Sequence, residues 1–244
     1  MTKNVLAATL EEICRLDAPL SRRIELLLEK QREWMTPFLA AGERLVDRLK
    51  SGDFGHSAPQ IGETMPGFEL PDQSGRMRTL DELVSDGPVV MSLNRGHWCP
   101  FCRIELSAFA DAHRDFDALG AKVISIMPDR QQFVGRLPAD IRERLTILSD
   151  IDNEFVLSLD LAVWLGDEMR TLMRDHGLDL DEVHGNESWC VPVPATFVLD
   201  RSARVVARQI EPDFRKRMSI EEIASALRSL RAEQSASRGA KNGP

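Results

Sequence analysis

No stretch of the 244 residues approaches the ~18 consecutive apolar residues of a bilayer span, which excludes a helical integral membrane protein. No export leader is expected either. Lys3, Glu11, Glu12, Arg15 and Asp17 interrupt the apolar residues from Met1 to Leu20, so a soluble cytoplasmic protein is expected. Positive charge is in deficit: 31 Lys and Arg against 39 Asp and Glu leave a net charge of −8. Binding a phosphate backbone takes a concentrated basic face, so nucleic acid is set aside as a partner. Four cysteines are too few for a secreted disulfide scaffold. In a reducing compartment a close pair of them points to metal or redox chemistry. A second Cys-x-x-Cys, a His-x-His pair and any internal repeat are all missing. What remains is ordinary: 43% apolar residues, enough for a packed core, in a length that suits one domain with an extension.

From Val5 to about Leu49 apolar residues recur at helical spacing, predicting two or three amphipathic helices broken near Ala18-Pro19 and Thr36-Pro37. The Trp34 and Phe38 stripe reads as core or as a contact in a homodimer. Gly, Ser and Pro between Ser51 and Gly62 mark a linker, so residues 1–58 form a helical extension. Beyond it, strand-like runs (Val89 to Leu93, Val123 to Ile126, Leu145 to Leu148) alternate with helical stretches (Cys102 to Leu119, Gln131 to Leu137). This alternation predicts an α/β domain over residues 59–233. Thr196 to Leu199 and Arg204 to Ile210 read as a strand pair, and Ser219 with Glu222 as a capping box opening a helix through Leu230. Leu161 to Glu187 reads as a helical insert, and residues 234–244 as a small, polar, disordered tail.

The chemistry concentrates in Val89-Val-Met-Ser-Leu-Asn-Arg-Gly-His-Trp-Cys-Pro-Phe-Cys102: a buried strand, a turn at Gly96, then Cys-x-x-Cys entering a helix near Pro100. At that junction unpaired backbone N–H groups and the positive helix end favour an anion. The Cys99 thiolate is stabilised there, and the thiolate is the species that attacks disulfides and peroxides. Cys102, one turn further on, can close a disulfide with it. Two plainer readings stay open. The cysteines could be small core residues, or half of a zinc site that Cys190 and His184 would complete only by a coincidence of folding.

Trp98-Cys99-Pro100-Phe101-Cys102 resembles the active-site turn of thioredoxin-fold proteins, and Arg95 through Leu106 resembles the peroxiredoxin-like branch of the AhpC/TSA family. Gly62 to Asp72 and Val193 to Asp200 extend the likeness to roughly residues 60 to 232. The resemblance implies a thioredoxin-like fold, a central mixed sheet flanked by helices. It implies a Cys99 thiolate attacking a hydroperoxide or a disulfide, with Cys102 resolving and thioredoxin or glutathione as reductant. No metal or organic cofactor is implied. Pro194, ahead of Ala195-Thr196-Phe197, matches the fold's cis-proline, where any other residue would cost ~2.5 to 4 kcal/mol.

The sequence departs from the family's pattern at three positions. In the peroxiredoxin pattern Pro-x-x-x-Thr-x-x-Cys, Ser92 and Gly96 stand at the proline and threonine positions, and Pro194 stands where an arginine is usual. Arg95 or Arg103 could substitute as the cation, His97 could transfer protons, and Cys190 could serve as an alternative resolving thiol. Trp98 and Thr196 complete the candidate set. Cys14, on an apolar stripe with Leu10 and Ile13, reads as core. The rival readings are a thioredoxin-type disulfide reductase, a metal or iron–sulfur module built on the cysteine pair, and a redox sensor acting through the helical extension.

Overall fold

A computed structural model describes residues 3–52 and 54–241. Helices α1 (Lys3–Cys14), α2 (Leu20–Trp34) and α3 (Thr36–Ser51) open the chain. They break at the prolines: Pro19 directly precedes α2, and Pro37 falls in the first turn of α3, where its missing N–H is no loss. Their apolar faces, with Ile13, Leu27, Val46 and Leu49, share one core with Met91 and Leu93 of the sheet and with both Cys99 and Cys102. The extension is therefore packed into the domain. The Trp34 side chain lies outside the described residues, and Phe38 packs edge-on against His176 with ring centres 4.8 Å apart.

A hairpin of β1 (Glu69–Pro71) and β2 (Met77–Thr79) leads into α4 (Leu80–Ser85) and the central strand β3 (Val89–Leu93). Then come α5 (Pro100–Asp111), α6 (His113–Ala118), β4 (Lys122–Met127), α7 (Gln131–Val134), α8 (Ala139–Arg144), β5 (Thr146–Ser149) and α9 (Glu154–Ser158). The chain continues through β6 (Ala162–Trp164), α10 (Asp167–Asp175), α11 (Leu180–His184), β7 (Cys190–Pro192), β8 (Ala195–Leu199), β9 (Val205–Ile210) and α12 (Ile220–Lys241). The main sheet runs β5-β4-β3-β8-β9. Strands β3, β4 and β5 are parallel, while β8 and β9 are antiparallel to their neighbours, giving the expected mixed sheet. Every residue of β3 and β8 is buried, which explains why both read as near-continuous apolar runs, interrupted by Ser92 and Thr196, without alternation. No helix among the described residues is long and apolar enough to cross a membrane.

Two expectations are corrected. The segment from Leu161 is not helical throughout: Ala162, Val163 and Trp164 pair with Pro192, Val191 and Cys190, and only then do α10 and α11 follow. A three-residue strand leaves no period by which to tell it from helix. The last helix does not end at Leu230 but runs to Lys241, because no glycine or proline intervenes before Gly239 and each further residue adds a hydrogen bond to an established helix. Of the expected disordered tail, residues 242–244 lie outside the described residues.

Candidate active site

Strand β3 delivers the chain to the turn Gly96 to Cys99, closed by a hydrogen bond from Cys99 N–H to the Gly96 carbonyl at 3.1 Å. Gly96 holds φ at +133°, and a Cβ there would lie 2.5 Å from both Asp129 Oδ1 and Trp98 Nε1. Only glycine fits. Cys99 is the N-cap of α5, with extended backbone, and Pro100 occupies the first helical turn. An N-cap side chain normally offers an oxygen to the free N–H groups of the first turn. Here the sulfur does so, accepting from Cys102 N–H at 3.4 Å. Arg95 Nη2 donates to the same sulfur from 3.2 Å.

Both cysteines are fully buried. Burial alone raises the Cys99 thiol. The hydrogen bond from Cys102, the charges of Arg95 and Arg217 and the Cys102 N–H outweigh it and hold Cys99 well below the ordinary thiol value. Burial, followed by its hydrogen bond to Cys99 and the Cys99 charge, pushes Cys102 well above it. The two sulfurs are thereby pushed in opposite directions, Cys99 toward the thiolate and Cys102 toward the thiol.

The cations are held by aromatic rings and by a buried polar network. The Arg95 guanidinium lies 3.9 Å from the centre of the Phe214 ring and 5.6 Å from that of Trp98, and Phe214 packs on Phe101. Arg217, just ahead of α12, is ion-paired with Glu105 at 3.2 Å, the two side chains only 2% and 1% exposed. Its Nη1 donates to the Phe214 and Lys216 carbonyls, and its Nη2 reaches Cys102 Sγ at 3.7 Å. Glu105 Oε2 accepts from Ser92 Oγ at 3.2 Å, and Asn94 Nδ2 donates to Ser92 Oγ at 2.8 Å and Ser125 Oγ at 3.1 Å. Sequence reasoning missed Arg217 and Glu105. Arg217 is 115 residues from Cys102, and a helix-preceding arginine in a run of charged residues carries no local mark.

The remaining candidates divide. Trp98 flanks Arg95, and Thr196 is buried on β8 opposite Ser92 in register. His97 is fixed: its N–H and Nδ1 both meet Asp129 Oδ2 at 2.7 Å, and its ring stacks on Phe133. Behind Asp129 lies the fully buried His184, its Nε2 3.7 Å from Asp129 Oδ1. The Arg103 N–H donates to the Cys99 carbonyl at 3.0 Å, but Arg103 lines a separate cleft with Cys14, Arg23, Asp111 and Arg136, and no hydrogen bond joins its guanidinium to the Cys99 sulfur. The Cys190 thiol turns to its own loop, 3.7 Å from the Ser188 carbonyl, and is not brought to Cys99. Pro194 is buried where β8 begins, but no peptide bond among the described residues is cis, which corrects the cis-proline expectation. With β8 running straight on from β7, a trans proline enters the strand without a turn. Among the described residues no three His, Cys, Asp or Glu side chains converge as metal ligands.

Residues 61–208 match the family model described as the AhpC/TSA family. The chain belongs to the AhpC/TSA family. Peroxiredoxin Bcp of Bacillus subtilis is 26% identical over 172 residues, 70% of this chain and 95% of the Bcp chain. The 1-Cys peroxiredoxin PER1 of Hordeum vulgare is 33% identical over 109 residues, 42% of this chain and 50% of the barley protein. A Mycobacterium tuberculosis protein named as a peroxiredoxin is 40% identical over 70 residues, 29% of this chain and 46% of that protein. The match thus spans about half the length of the mycobacterial and barley relatives. Among solved structures, peroxidoxin BcpB from Mycobacterium tuberculosis superposes with a TM-score of 0.53 at 24% identity, covering 70% of this chain and 97% of its own. Peroxiredoxin 6 of Arenicola marina does so with 0.56 at 17% identity, over 71% and 74%. The fold is thioredoxin-like. Glycine and proline stand at positions 96 and 194, and the positive charge beside the sulfurs comes from Arg95 and Arg217.

Proposed function

We propose that this protein is a cytoplasmic thiol peroxidase that reduces hydroperoxides through Cys99, with Cys102 as the resolving thiol. One observation carries the reading: a buried sulfur at a helix N-cap, with Arg95 Nη2 at 3.2 Å and Cys102 N–H at 3.4 Å, is a thiolate built to attack. The Cys99 electron pair attacks the terminal peroxide oxygen, the O–O bond breaks, and the departing oxygen takes up a proton as water or alcohol. Cys99 is left as a sulfenic acid. Cys102 then displaces the sulfenic hydroxyl, which leaves as water with the thiol proton, and a disulfide closes. Two thiol equivalents from a thioredoxin-type protein or glutathione reopen it. The yeast mitochondrial 1-Cys peroxiredoxin, a structural neighbour, is resolved via glutathione/thioredoxin systems, and the same reductant chemistry is proposed here.

Stopped-flow mixing of reduced protein with hydrogen peroxide tests the proposal. Rapid loss of two thiols per chain is expected, abolished by Cys99→Ser. The glycine where a hydroxyl is usual favours one second reading, exchange with protein disulfides. Inertness to peroxide with ready reduction of a disulfide substrate would select it.

A further inference from the structure

Glu105 and Arg217 form a buried ion pair directly behind the cysteine turn, yet neither touches the attacking sulfur by hydrogen bond. Removing two charges from water is costly, and such a pair seldom stabilises a fold more than apolar residues of the same volume would. The pair therefore asks for another reason to be there. Its geometry supplies one. Two N–H donors converge on Cys102 Sγ: the Arg95 backbone N–H at 3.4 Å and Arg217 Nη2 at 3.7 Å. Two donors suit a sulfur that becomes an anion. The guanidinium is kept in that place by Glu105 and by the Phe214 and Lys216 carbonyls.

Charge accounting over one cycle says when this matters. In the reduced state the negative sulfur is Cys99, which Arg95 holds directly. Oxidation to a neutral sulfenic acid removes that charge, and negative charge next develops on Cys102 as it attacks. We propose that Arg217 is a catalytic residue of the second, disulfide-closing step, stabilising Cys102 sulfur as it becomes an anion, and that Glu105 is its positioning residue. The proposal rests on the Cys99/Cys102 disulfide of the preceding section, though not on peroxide being the oxidant. Arg217 donates no proton. The S–S bond forms as the bond from Cys99 to its leaving group breaks, and the Cys102 proton departs with that group or to solvent.

The step can be isolated without peroxide. In the full chain carrying Cys14→Ser and Cys190→Ser, 5,5′-dithiobis(2-nitrobenzoate) forms a mixed disulfide at Cys99 and releases one coloured thiolate. Attack by Cys102 on Cys99 Sγ then releases a second. Since Arg217→Met alone would strand Glu105 as a buried unpaired charge, the informative variant is Arg217→Met with Glu105→Gln, its folding verified by circular dichroism. The second release should slow by about tenfold or more, the typical worth of a hydrogen bond to a charged group, and by more than the first, since Arg95 still donates directly to Cys99. Glu105→Gln alone keeps the guanidinium but loosens its seat, so the second release should slow, by less than in the double variant, while the first stays within about threefold. A second release as fast as in the parent, or a first release slowed equally, would overturn the assignment. A parent that shows both releases but ignores peroxide would sink the peroxidase reading and leave this one standing.

Discussion

His184 is buried with neither ring nitrogen hydrogen-bonded, and burial pulls it down from 6.5 to about 4. Below pH 6.5 the unfolded chain takes up a proton that the folded one refuses, so stability falls as the pH drops from about 6.5 to about 4 and changes no further through this group below that. The shift corresponds to roughly 3 kcal/mol at the acid end of the window. Urea unfolding of wild type and His184→Leu at pH 7 and pH 4 should show wild type losing more stability than the variant by about that amount, because other acid-sensitive groups cancel in the comparison. Parallel losses would show that His184 does not titrate this way. At this scale the sequence reveals groups whose role is set by near neighbours. Cys99 and Cys102 are legible because three residues on a helix fix their relation, and Arg95 because it is four residues from Cys99. Arg217, Glu105 and Asp129 are brought in by tertiary packing, and no spacing announces them.

Among the elements, α5 carries the cysteine pair at its N-terminal end and α1 and α2 brace it. Arg23, 6% exposed, donates from Nε to the Ala18 carbonyl at 3.0 Å, from Nη1 to the Cys14 carbonyl at 3.1 Å and from Nη2 to Asp111 Oδ2 at 2.8 Å. One side chain thus satisfies the end of α1, the approach to α2 and the end of α5. Arg23→Ala leaves the Ala18 carbonyl without a partner, the Cys14 carbonyl with Ser107 Oγ alone at 3.3 Å and Asp111 unpaired, and should cost about 1 to 3 kcal/mol in denaturant unfolding. A loss under half a kcal/mol would mean the helices are held by their apolar faces alone. Long amphipathic helices were readable because their period repeats several times, and the proline breaks because the ring forbids alternatives. The strand pair β6–β7 was not, since three residues of pairing are decided by the partner strand rather than by their own pattern.

For the molecule as a whole, the mixed sheet, its helical layers and the placement of the cysteine turn at the end of β3 follow from the alternation of apolar runs and helical stretches. The packing of the extension into the same core does not, because an amphipathic face says that it is covered without saying by what. That shared core encloses a sulfur with no direct contact with solvent. On the proposed reading, an oxidant must reach Cys99 through local opening of the turn 96–99, and the disulfide would close in a site shielded from water. The most direct test of the account is to treat reduced wild type and Cys102→Ser with one equivalent of hydrogen peroxide in the presence of dimedone, then map the modified cysteines by mass spectrometry. The account predicts a Cys99–Cys102 disulfide in wild type and a dimedone-trapped sulfenic acid at Cys99 in the variant. A variant unmodified at Cys99, or trapped at Cys14 or Cys190 instead, would contradict it.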